Sequence, residues 1–204
     1  MIKYLALVAV LAIVLWLANG IRMIGAVSRG KPIASRPNTA LLLVDLQTVF
    51  WEDGRYDDEK ALAQSAILDE IAEMNRNDSP VIAIRQEWSQ PSTMAISWLT
   101  MGGQAIAGSL GNEIAAPFEG RADFVLVKRV QDAFETGELD ALLKQLDVGT
   151  LRIVGLDMNY CVGKTALAAR NRGFAVEVIT RGTLAAKPTE KMRELLTANG
   201  VKLE

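Results

Sequence analysis

Five short runs of apolar residues recur along the chain and constrain its fold more than any other feature. They are rich in valine, isoleucine and leucine, and they are continuous rather than alternating: ALLLVD (40–45), PVIAIR (80–85), DFVLVK (123–128), TLRIVG (150–155) and FAVEVI (174–179). A continuous run is typical of a strand that is buried on both faces, as in a parallel sheet. Because helical patterns separate the runs, the sequence predicts an α/β fold, a doubly wound sandwich with a mainly parallel sheet.

Four segments between and after these strands have the patterning of helices. The longest, 58–75, places Ala63, Ile67, Ile71 and Met74 on one face, and the others are 138–146, 162–170 and 189–197. The remaining connection, 86–121, is too long for a plain loop. We expect it to hold extra helices or to carry function. Its tryptophans, Trp88 and Trp98, either line a pocket or pack over the sheet.

The N-terminus is apolar enough to suggest a membrane segment. Tyr4–Ala18 contains no charged residue, and the stretch up to Val27 contains one, Arg22. A bilayer-spanning helix needs about 20 mostly apolar residues. We therefore expect residues 1–27 to form a transmembrane helix that anchors the chain and residues 28–38 to form a basic linker. The alternatives are a signal peptide cleaved before Ile21, and a buried core helix.

The charge distribution predicts an orientation for this anchor. Residues 1–38 carry five basic residues and no acidic one, which leaves 17 basic against 24 acidic residues in the body. Four of the five basic residues follow the apolar run, so the positive-inside bias keeps the body cytoplasmic as a single-pass protein. Export after signal cleavage is the alternative. An acidic body without a basic stripe argues against nucleic acid as a partner.

The chain has no histidine and only one cysteine, Cys161. This composition excludes serine–histidine and cysteine–histidine catalysis, and it also excludes zinc sites built from histidine or from four cysteines. We therefore expect no bound metal and no cofactor. A single cysteine also rules out a disulfide within the chain.

Three chemically reactive side chains are predicted to lie at one edge of the sheet. Asp45 ends the first strand, Lys128 ends the third, and Cys161 follows the fourth. Ligands of open parallel sheets bind beyond the carboxyl ends of the strands. Asp45 could accept the thiol proton, while Lys128 and a helix N-terminus could lower the pKa of the thiol below about 8.5. Asp45 would oppose that shift. Taken singly, each residue also fits a bland role: a helix cap, a solvent-reaching lysine and a core cysteine.

Three segments of the sequence resemble the signature segments of the isochorismatase-like cysteine hydrolases. They are ALLLVDLQTVF, VLVKRVQDAF and IVGLDMNYCVGKTALAARNRGFAVEVI. The similarity extends from about Thr39 to the C-terminus, so 39–204 is expected to be one isochorismatase-like hydrolase domain. The resemblance implies a three-layer α/β/α fold and homo-oligomers.

The resemblance also implies the roles of individual residues. It makes Asp45, Lys128 and Cys161 a catalytic triad and assigns an oxyanion hole to the backbone amides of Asp157 and Cys161. It places a non-proline cis peptide at Leu156–Asp157. Gln47 and Phe134 also match the family pattern, as structural or pocket-lining residues, and with Trp88 they are our candidates for the substrate pocket.

The chain departs from relatives in this family in ways that bear on its substrate. Nicotinamidases place an aspartate and histidines after the second strand to hold a metal, whereas this region reads IRQEWSQPSTM. An aspartate that commonly follows the fifth strand is replaced by Arg181. Because family members that act on isochorismate often lack the cysteine, Cys161 favours amide or carbamoyl hydrolysis through a thioester.

The sequence therefore predicts a metal-independent cysteine hydrolase that cleaves a C–N bond of a small amide, ureido or carbamoyl substrate. One alternative is an isochorismate-type vinyl-ether hydrolase. The other is a catalytically idle domain that serves as a membrane-tethered interaction module.

Overall fold

The computed structural model describes residues 2–204, and Met1 lies outside the described residues. Six strands form one sheet in the order β3-β2-β1-β4-β5-β6, and all neighbouring strands are parallel. The strands are β1 (Asn38–Val44), β2 (Val81–Gln86), β3 (Phe124–Lys128), β4 (Val148–Gly155), β5 (Ala175–Thr183) and β6 (Lys202–Leu203). The helices are α1 (Ile2–Gly25), α2 (Thr48–Trp51), α3 (Asp57–Arg76), α4 (Pro91–Met101), α5 (Glu138–Gln145), α6 (Gly163–Asn171) and α7 (Glu190–Ala198).

Two hydrophobic cores lie on opposite faces of this sheet. Along β1, Leu42 and Val44 belong to the core that also contains residues of α5, α6 and α7. Leu41 and Leu43 belong to the other core, which contains residues of α3. Since successive side chains of a strand point to opposite faces, a run that is apolar throughout is what burial on both faces requires. The predicted α/β fold with a mainly parallel sheet is confirmed.

The predicted elements are present, with their ends shifted by a few residues, and the structure adds four more. The predicted inward face of α3 is buried, as the near-zero exposure of Ala63 and Ile67 shows. The long connection after β2 contains α4, as expected of an extra helix. The short α2, the short edge strand β6, and a π-helical turn (Met158–Val162) between β4 and α6 have no clear signal in the sequence.

Helix α1 projects from the body and packs on it only near its C-terminal end. Among the described residues, Lys3–Gly25 is the one helix that is long and apolar enough to cross a membrane, with a mean hydropathy of 2.3. Its buried contact is at Gly20, where a β-carbon would lie 2.7 Å from the Cδ1 atom of Ile96 on α4. Only glycine therefore allows this approach between the two helices.

The predicted linker has no regular structure but lies against the body. The Ser28 amide donates a 2.7 Å hydrogen bond to the buried Asp132 carboxylate, and the Ile33 amide donates one of 2.8 Å to the carbonyl of Arg172. The side chain of Ile33 packs against the core. The segment thus fixes the C-terminal end of α1 relative to the domain.

Candidate active site

Four polar side chains meet at the carboxyl edge of the sheet. Asp45 follows β1, Gln86 is the last residue of β2, Lys128 is the last residue of β3, and Cys161 lies in the π-helical turn after β4. Because the four strands are adjacent and parallel, their C-terminal ends bring these residues together. The three residues that the sequence placed at this edge are neighbours in the structure.

Lys128 is the centre of this cluster. Its Nζ atom lies 2.9 Å from Oδ2 of Asp45 and 3.3 Å from Sγ of Cys161, and it also donates a hydrogen bond to Oε1 of Gln86. The lysine side chain is buried. A buried ammonium group requires such partners, since an unpaired charge away from water is very costly.

Asp45 is held in a special conformation and keeps one oxygen free. Its φ of 54° lies in the left-handed region, which is uncommon for a residue other than glycine and is often retained at functional sites. The Oδ1 atom is buried and has no hydrogen-bond partner among residues 2–204. This side chain also lines the cavity described below, together with Cys161.

Burial and the neighbouring charges raise the pKa values of all three ionisable groups of the cluster. Burial, with the neighbouring Asp45 carboxylate, raises the pKa of Cys161 above its usual value, although Lys128 opposes the shift. The expectation that the thiol pKa lies below its usual value is therefore wrong, because burial and Asp45 outweigh the lowering by Lys128. Burial also raises the pKa of Asp45, against the effect of Lys128. For Lys128, burial disfavours the charge, but Asp45 and Cys161 outweigh it and raise the pKa of the ammonium group.

The segment before Cys161 contains a cis peptide bond and a backbone amide without an acceptor. The Leu156–Asp157 peptide is cis, as the resemblance implied. The Asp157 amide donates no hydrogen bond to any residue of the described chain. The carboxylate of the same residue accepts hydrogen bonds from the amides of Asn159, at 2.7 Å, and Ala186, at 2.8 Å. These bonds hold the turn, so that the free amide keeps its position.

A cavity of about 460 Å³ opens beside the cluster. Asp45, Gln86 and Cys161 line it. The predicted pocket residue Trp88 is part of its wall, and its indole N–H is buried with no acceptor among the described residues. The remaining wall comes from α4 and from several loops, with Phe50, Arg55, Tyr56, Thr100, Met101, Gln131, Leu156, Asp157, Tyr160, Ala186 and Lys187.

Two residues assigned to the substrate pocket do not line it. Gln47 is fully buried, and its side chain bonds the backbone amide and carbonyl of Gln86, which fixes the end of β2. Phe134 is buried in the core, where its ring packs in a tilted arrangement against Phe174 and the guanidinium group of Arg172 lies 4.4 Å from the ring centroid. The Gln47 amide has hydrogen-bond partners for its nitrogen and its oxygen at this buried position. The Phe134 ring is removed from water.

Gln86 is the residue of the cluster that the sequence reasoning missed. The sequence does indicate it, because Gln86 is a polar residue at the end of a predicted strand, as Asp45 and Lys128 are. The predicted strand ended at Arg85, one residue too early. The substrate contact that seemed to be lost at Arg181 is also explained: this side chain points to Glu70 on α3, with a 3.0 Å bond, and does not line the cavity.

The donor set of this chain does not fit a transition-metal site. The sequence contains no histidine. Within residues 2–204, no three or more histidine, cysteine, aspartate or glutamate side chains are grouped closely enough to hold a metal ion. Zinc and iron sites are built largely from imidazole and thiolate ligands, of which the site offers one thiol that Lys128 already contacts.

Comparison with known proteins agrees with this architecture. Similar solved structures include a pyrazinamidase of Pyrococcus horikoshii in complex with zinc (24% identity, TM-score 0.69, covering 82% of this chain and 99% of that one). Others are an N-carbamoylsarcosine amidase from Thermoplasma acidophilum (22%, 0.72, 82% and 96%) and a nicotinamidase from Bacillus subtilis (16%, 0.68, 82% and 99%). At these identities the likeness shows the fold.

The family itself is shown by a match over most of the sequence. The isochorismatase domain model matches residues 39–202, which include all four polar residues of the cluster. The protein therefore belongs to the isochorismatase family of hydrolases.

Proposed function

We propose that the protein is a metal-independent cysteine hydrolase that cleaves a C–N bond of a small amide, ureido or carbamoyl compound. The observation that carries this proposal is the free, buried Oδ1 atom of Asp45 in the same cavity wall as Cys161. A carboxylate with an unused oxygen beside a nucleophile is what proton transfer in both directions requires.

In the first step, the thiol proton passes from Cys161 to Asp45, and the sulfur attacks the substrate carbonyl carbon. Because burial raises the pKa of both the thiol and the carboxyl group, the proton moves between two groups that both hold it readily. Lys128 remains charged and stabilises the thiolate at 3.3 Å. The C–N bond then breaks, Asp45 gives its proton to the leaving nitrogen, and an amine or ammonia departs.

In the second step, water hydrolyses the thioester. Asp45, again ionised, takes a proton from the water as its oxygen adds to the carbonyl carbon. The C–S bond breaks, the proton returns to the sulfur, and the acid product leaves. The enzyme regains a protonated thiol and an ionised carboxylate, so the cycle balances.

Both steps form a negatively charged oxygen on the substrate carbon. The backbone amides of Asp157 and Cys161 are our candidates for binding this oxyanion, and the absence of an acceptor for the Asp157 amide supports the choice. The unpartnered indole N–H of Trp88 is the candidate donor to a second polar atom of the substrate, such as a ureido or carbamoyl oxygen.

The decisive assay compares wild type and Cys161→Ala on a panel of primary amides, ureas and carbamates, with an isochorismate-type vinyl ether included. We expect release of ammonia or amine by wild type and loss of turnover in Cys161→Ala. The exposed Leu62→Ala substitution on α3, which lies outside the cavity wall, is the control and should remain active. Hydrolysis of the vinyl ether alone would reassign the reaction, and no hydrolysis by a folded wild type would favour an idle interaction module.

We further propose that α1 anchors the domain on the cytoplasmic side of a membrane. The apolar length of Lys3–Gly25 supports the anchor, and the basic residues after it support the orientation. The full-length protein should stay with membranes after carbonate washing, and protease added outside intact cells should leave the body undigested. A soluble, shortened protein would instead show a cleaved signal peptide.

Homo-oligomers remain a prediction that light scattering of the purified protein would test.

A further inference from the structure

The segment that covers the cavity is unusual in composition. Residues 88–112 contain no charged side chain, although at the average of the whole chain about six would be charged. We call this segment the uncharged cover. It includes α4, and it contributes Trp88, Thr100 and Met101 to the cavity wall. A solvent-facing surface segment of this length normally carries charges, so its environment needs an explanation.

Three large apolar side chains of the uncharged cover are exposed. Trp98 is 66% exposed, Leu99 is 73% exposed, and Leu110 is 96% exposed. The hydroxyl group of Thr100 on the same helix donates a 2.7 Å hydrogen bond to the carbonyl of Ile96, so this exposed polar group is already satisfied within α4. Internal satisfaction of polar groups is a requirement for a surface that faces lipid.

The contacts of α1 place this surface at the edge of a bilayer. A span of about 20 residues that starts at Tyr4 ends near Met23, so Gly20 lies just inside the boundary of the hydrocarbon core. Gly20 packs on Ser92 and Ile96 of α4. Leu99 continues this face of α4, because positions i, i+4 and i+7 share one side of a helix, and it lies about 4.5 Å further along the axis.

The cavity adjoins the same boundary by a second contact. The carbonyl of Ile24, in the last turn of α1, accepts a 3.2 Å hydrogen bond from the amide of Gln131, which lines the cavity. The exposed Arg22 and Arg29 flank this end of α1, where they can meet anionic headgroups. Two separate walls of the cavity, α4 and the Gln131 loop, are thus attached to the end of the apolar helix.

We propose that the uncharged cover rests on the lipid bilayer beside α1 and that the cavity takes its substrate from there. The substrate is then an amide, ureido or carbamoyl compound that carries an apolar chain. The choice of scissile bond rests on the proposed hydrolase reaction, and the seating of the cover on lipid rests on the proposed membrane anchor α1. The alternative occupants of this surface are a second copy of the chain or another protein, and the test separates them from lipid.

The single cysteine allows a test that needs no known substrate. The full-length protein is placed in vesicles of phosphatidylcholine with a minority of phosphatidylglycerol, and Cys161 is alkylated at about pH 8.5, near the free thiol value. The two reagents are iodoacetamide and its N-dodecyl derivative. In each case sulfur bonds to the methylene carbon, iodide leaves, and the thiol proton goes to the buffer. Mass spectrometry gives both rates.

We expect the dodecyl reagent, which concentrates in the bilayer, to react at least about tenfold faster than iodoacetamide, which corresponds to favourable transfer of roughly two methylene groups. Leu99→Glu should abolish most of this advantage. Leu62→Glu is the matched control, because Leu62 is a similarly exposed leucine, at 77%, on α3. It should keep the wild-type ratio. Equal or slower reaction of the dodecyl reagent with wild type, or equal ratios in the two variants, would overturn the inference.

The outcome for the proposed function is read separately. Hydrolysis of acetamide without any gain for dodecanamide, together with no alkylation advantage, would leave the amidase in place and remove the membrane-held substrate. An alkylation advantage without hydrolysis of any amide would support the contact of the cavity with the bilayer and contradict the proposed amidase activity. Retained alkylation ratios in a detergent-solubilised dimer would assign the surface to a second copy and also overturn the inference.

Discussion

Two buried carboxylates of this protein are each paired with a cation, but their surroundings differ. Glu70 on α3 is fully buried, and both of its oxygens are used: Oε2 bonds Arg152 on β4 at 2.7 and 2.9 Å, and Oε1 bonds Arg181 at 3.0 Å. Asp45 bonds Lys128 through Oδ2 only, and its Oδ1 has no partner within residues 2–204. By distance and burial alone, the two ion pairs are alike.

This contrast gives a criterion that separates a structural ion pair from the proposed catalytic one. A fully bonded carboxylate such as Glu70 has no free site for a proton, and its network joins α3 to the sheet. Asp45 has a free oxygen, a left-handed backbone and a thiol in the same cavity. Unsatisfied buried groups cost free energy, so their persistence at one place in a fold marks that place as a functional candidate.

The largest expected effect is on turnover. Asp45→Asn should lower kcat by at least about 1,000-fold, because the amide side chain cannot carry the proton between Cys161 and the leaving group. Glu70→Gln, the matched loss of one buried carboxylate charge, should leave kcat within a few-fold of wild type. The comparison is made on whichever amide proves to be hydrolysed. Similar losses of kcat in both variants would mean that Asp45 supports the folded structure and does not transfer a proton.

The next effect is on the free energy of unfolding, for which we expect Glu70→Gln to have a larger effect than Asp45→Asn. Glu70→Gln should lower the free energy of unfolding by about 3 kcal/mol, since it weakens three charge-assisted hydrogen bonds at a buried position. Asp45→Asn should cost less, because Cys161 can release its proton and replace the lost carboxylate as the counter-ion of Lys128. Urea unfolding of both variants measures this. A larger loss for Asp45→Asn would show that the thiol does not compensate.

The reactivity of the thiol gives a third comparison, with a defined direction in pH. Because the pKa of Cys161 is raised, most wild-type thiol should be protonated at neutral pH, and alkylation should accelerate only as the pH rises above the usual thiol range. Asp45→Asn removes a cause of the raised pKa, so its alkylation should be about tenfold faster at neutral pH for each unit by which the pKa falls.

The Lys128→Met variant should change the alkylation rate of Cys161 in the opposite direction. Lys128→Met removes the group that lowers the thiol pKa, and its alkylation at neutral pH should be slower than that of wild type. Iodoacetamide labelling followed by mass spectrometry over a pH series measures all three proteins. If Asp45→Asn is labelled no faster than wild type, the carboxylate and the thiol do not share a proton.

The sequence was sufficient for five of the six strands and for three of the four residues at the carboxyl edge of the sheet. Continuous apolar runs identify the strands of a parallel sheet, although the edge strand β3 is only partly buried, with Val125 exposed. The parallel arrangement then brings Asp45, Lys128 and Cys161 to one place. The prediction succeeded there because strand ends in a parallel sheet follow directly from the hydrophobic pattern. Gln86 was missed only because the end of β2 was placed at Arg85.

Other features depend on contacts between distant parts of the chain, which no local pattern encodes. Phe134 matches a family motif, but its burial beside Phe174 is a property of tertiary packing. The pKa of Cys161 is raised because burial and the Asp45 carboxylate together outweigh the opposing charge of Lys128. The close contact of Gly20 with α4 unites two segments that lie far apart in the sequence. Each of these required the three-dimensional arrangement.

The smallest expected effect concerns Arg181, which stands where relatives commonly have an aspartate. Its side chain is 62% exposed, and Glu70 keeps two hydrogen bonds to Arg152 when Arg181 is removed. An exposed ion pair of this kind contributes less than about 1 kcal/mol. Arg181→Ala should therefore lower the free energy of unfolding by no more than that amount, with the loss reduced at high salt, where exposed charges are screened.

The same variant tests whether the position still contacts substrate. Since Arg181 does not line the cavity, KM for the hydrolysed amide should be unchanged in Arg181→Ala. Lys187→Ala is the control, because Lys187 does line the cavity and its loss should raise KM if the substrate is anionic. A rise of KM in Arg181→Ala with no change in Lys187→Ala would show that the arginine leaves Glu70 and reaches the substrate during turnover. The division between a structural and a reactive charge cluster would then fail at this residue.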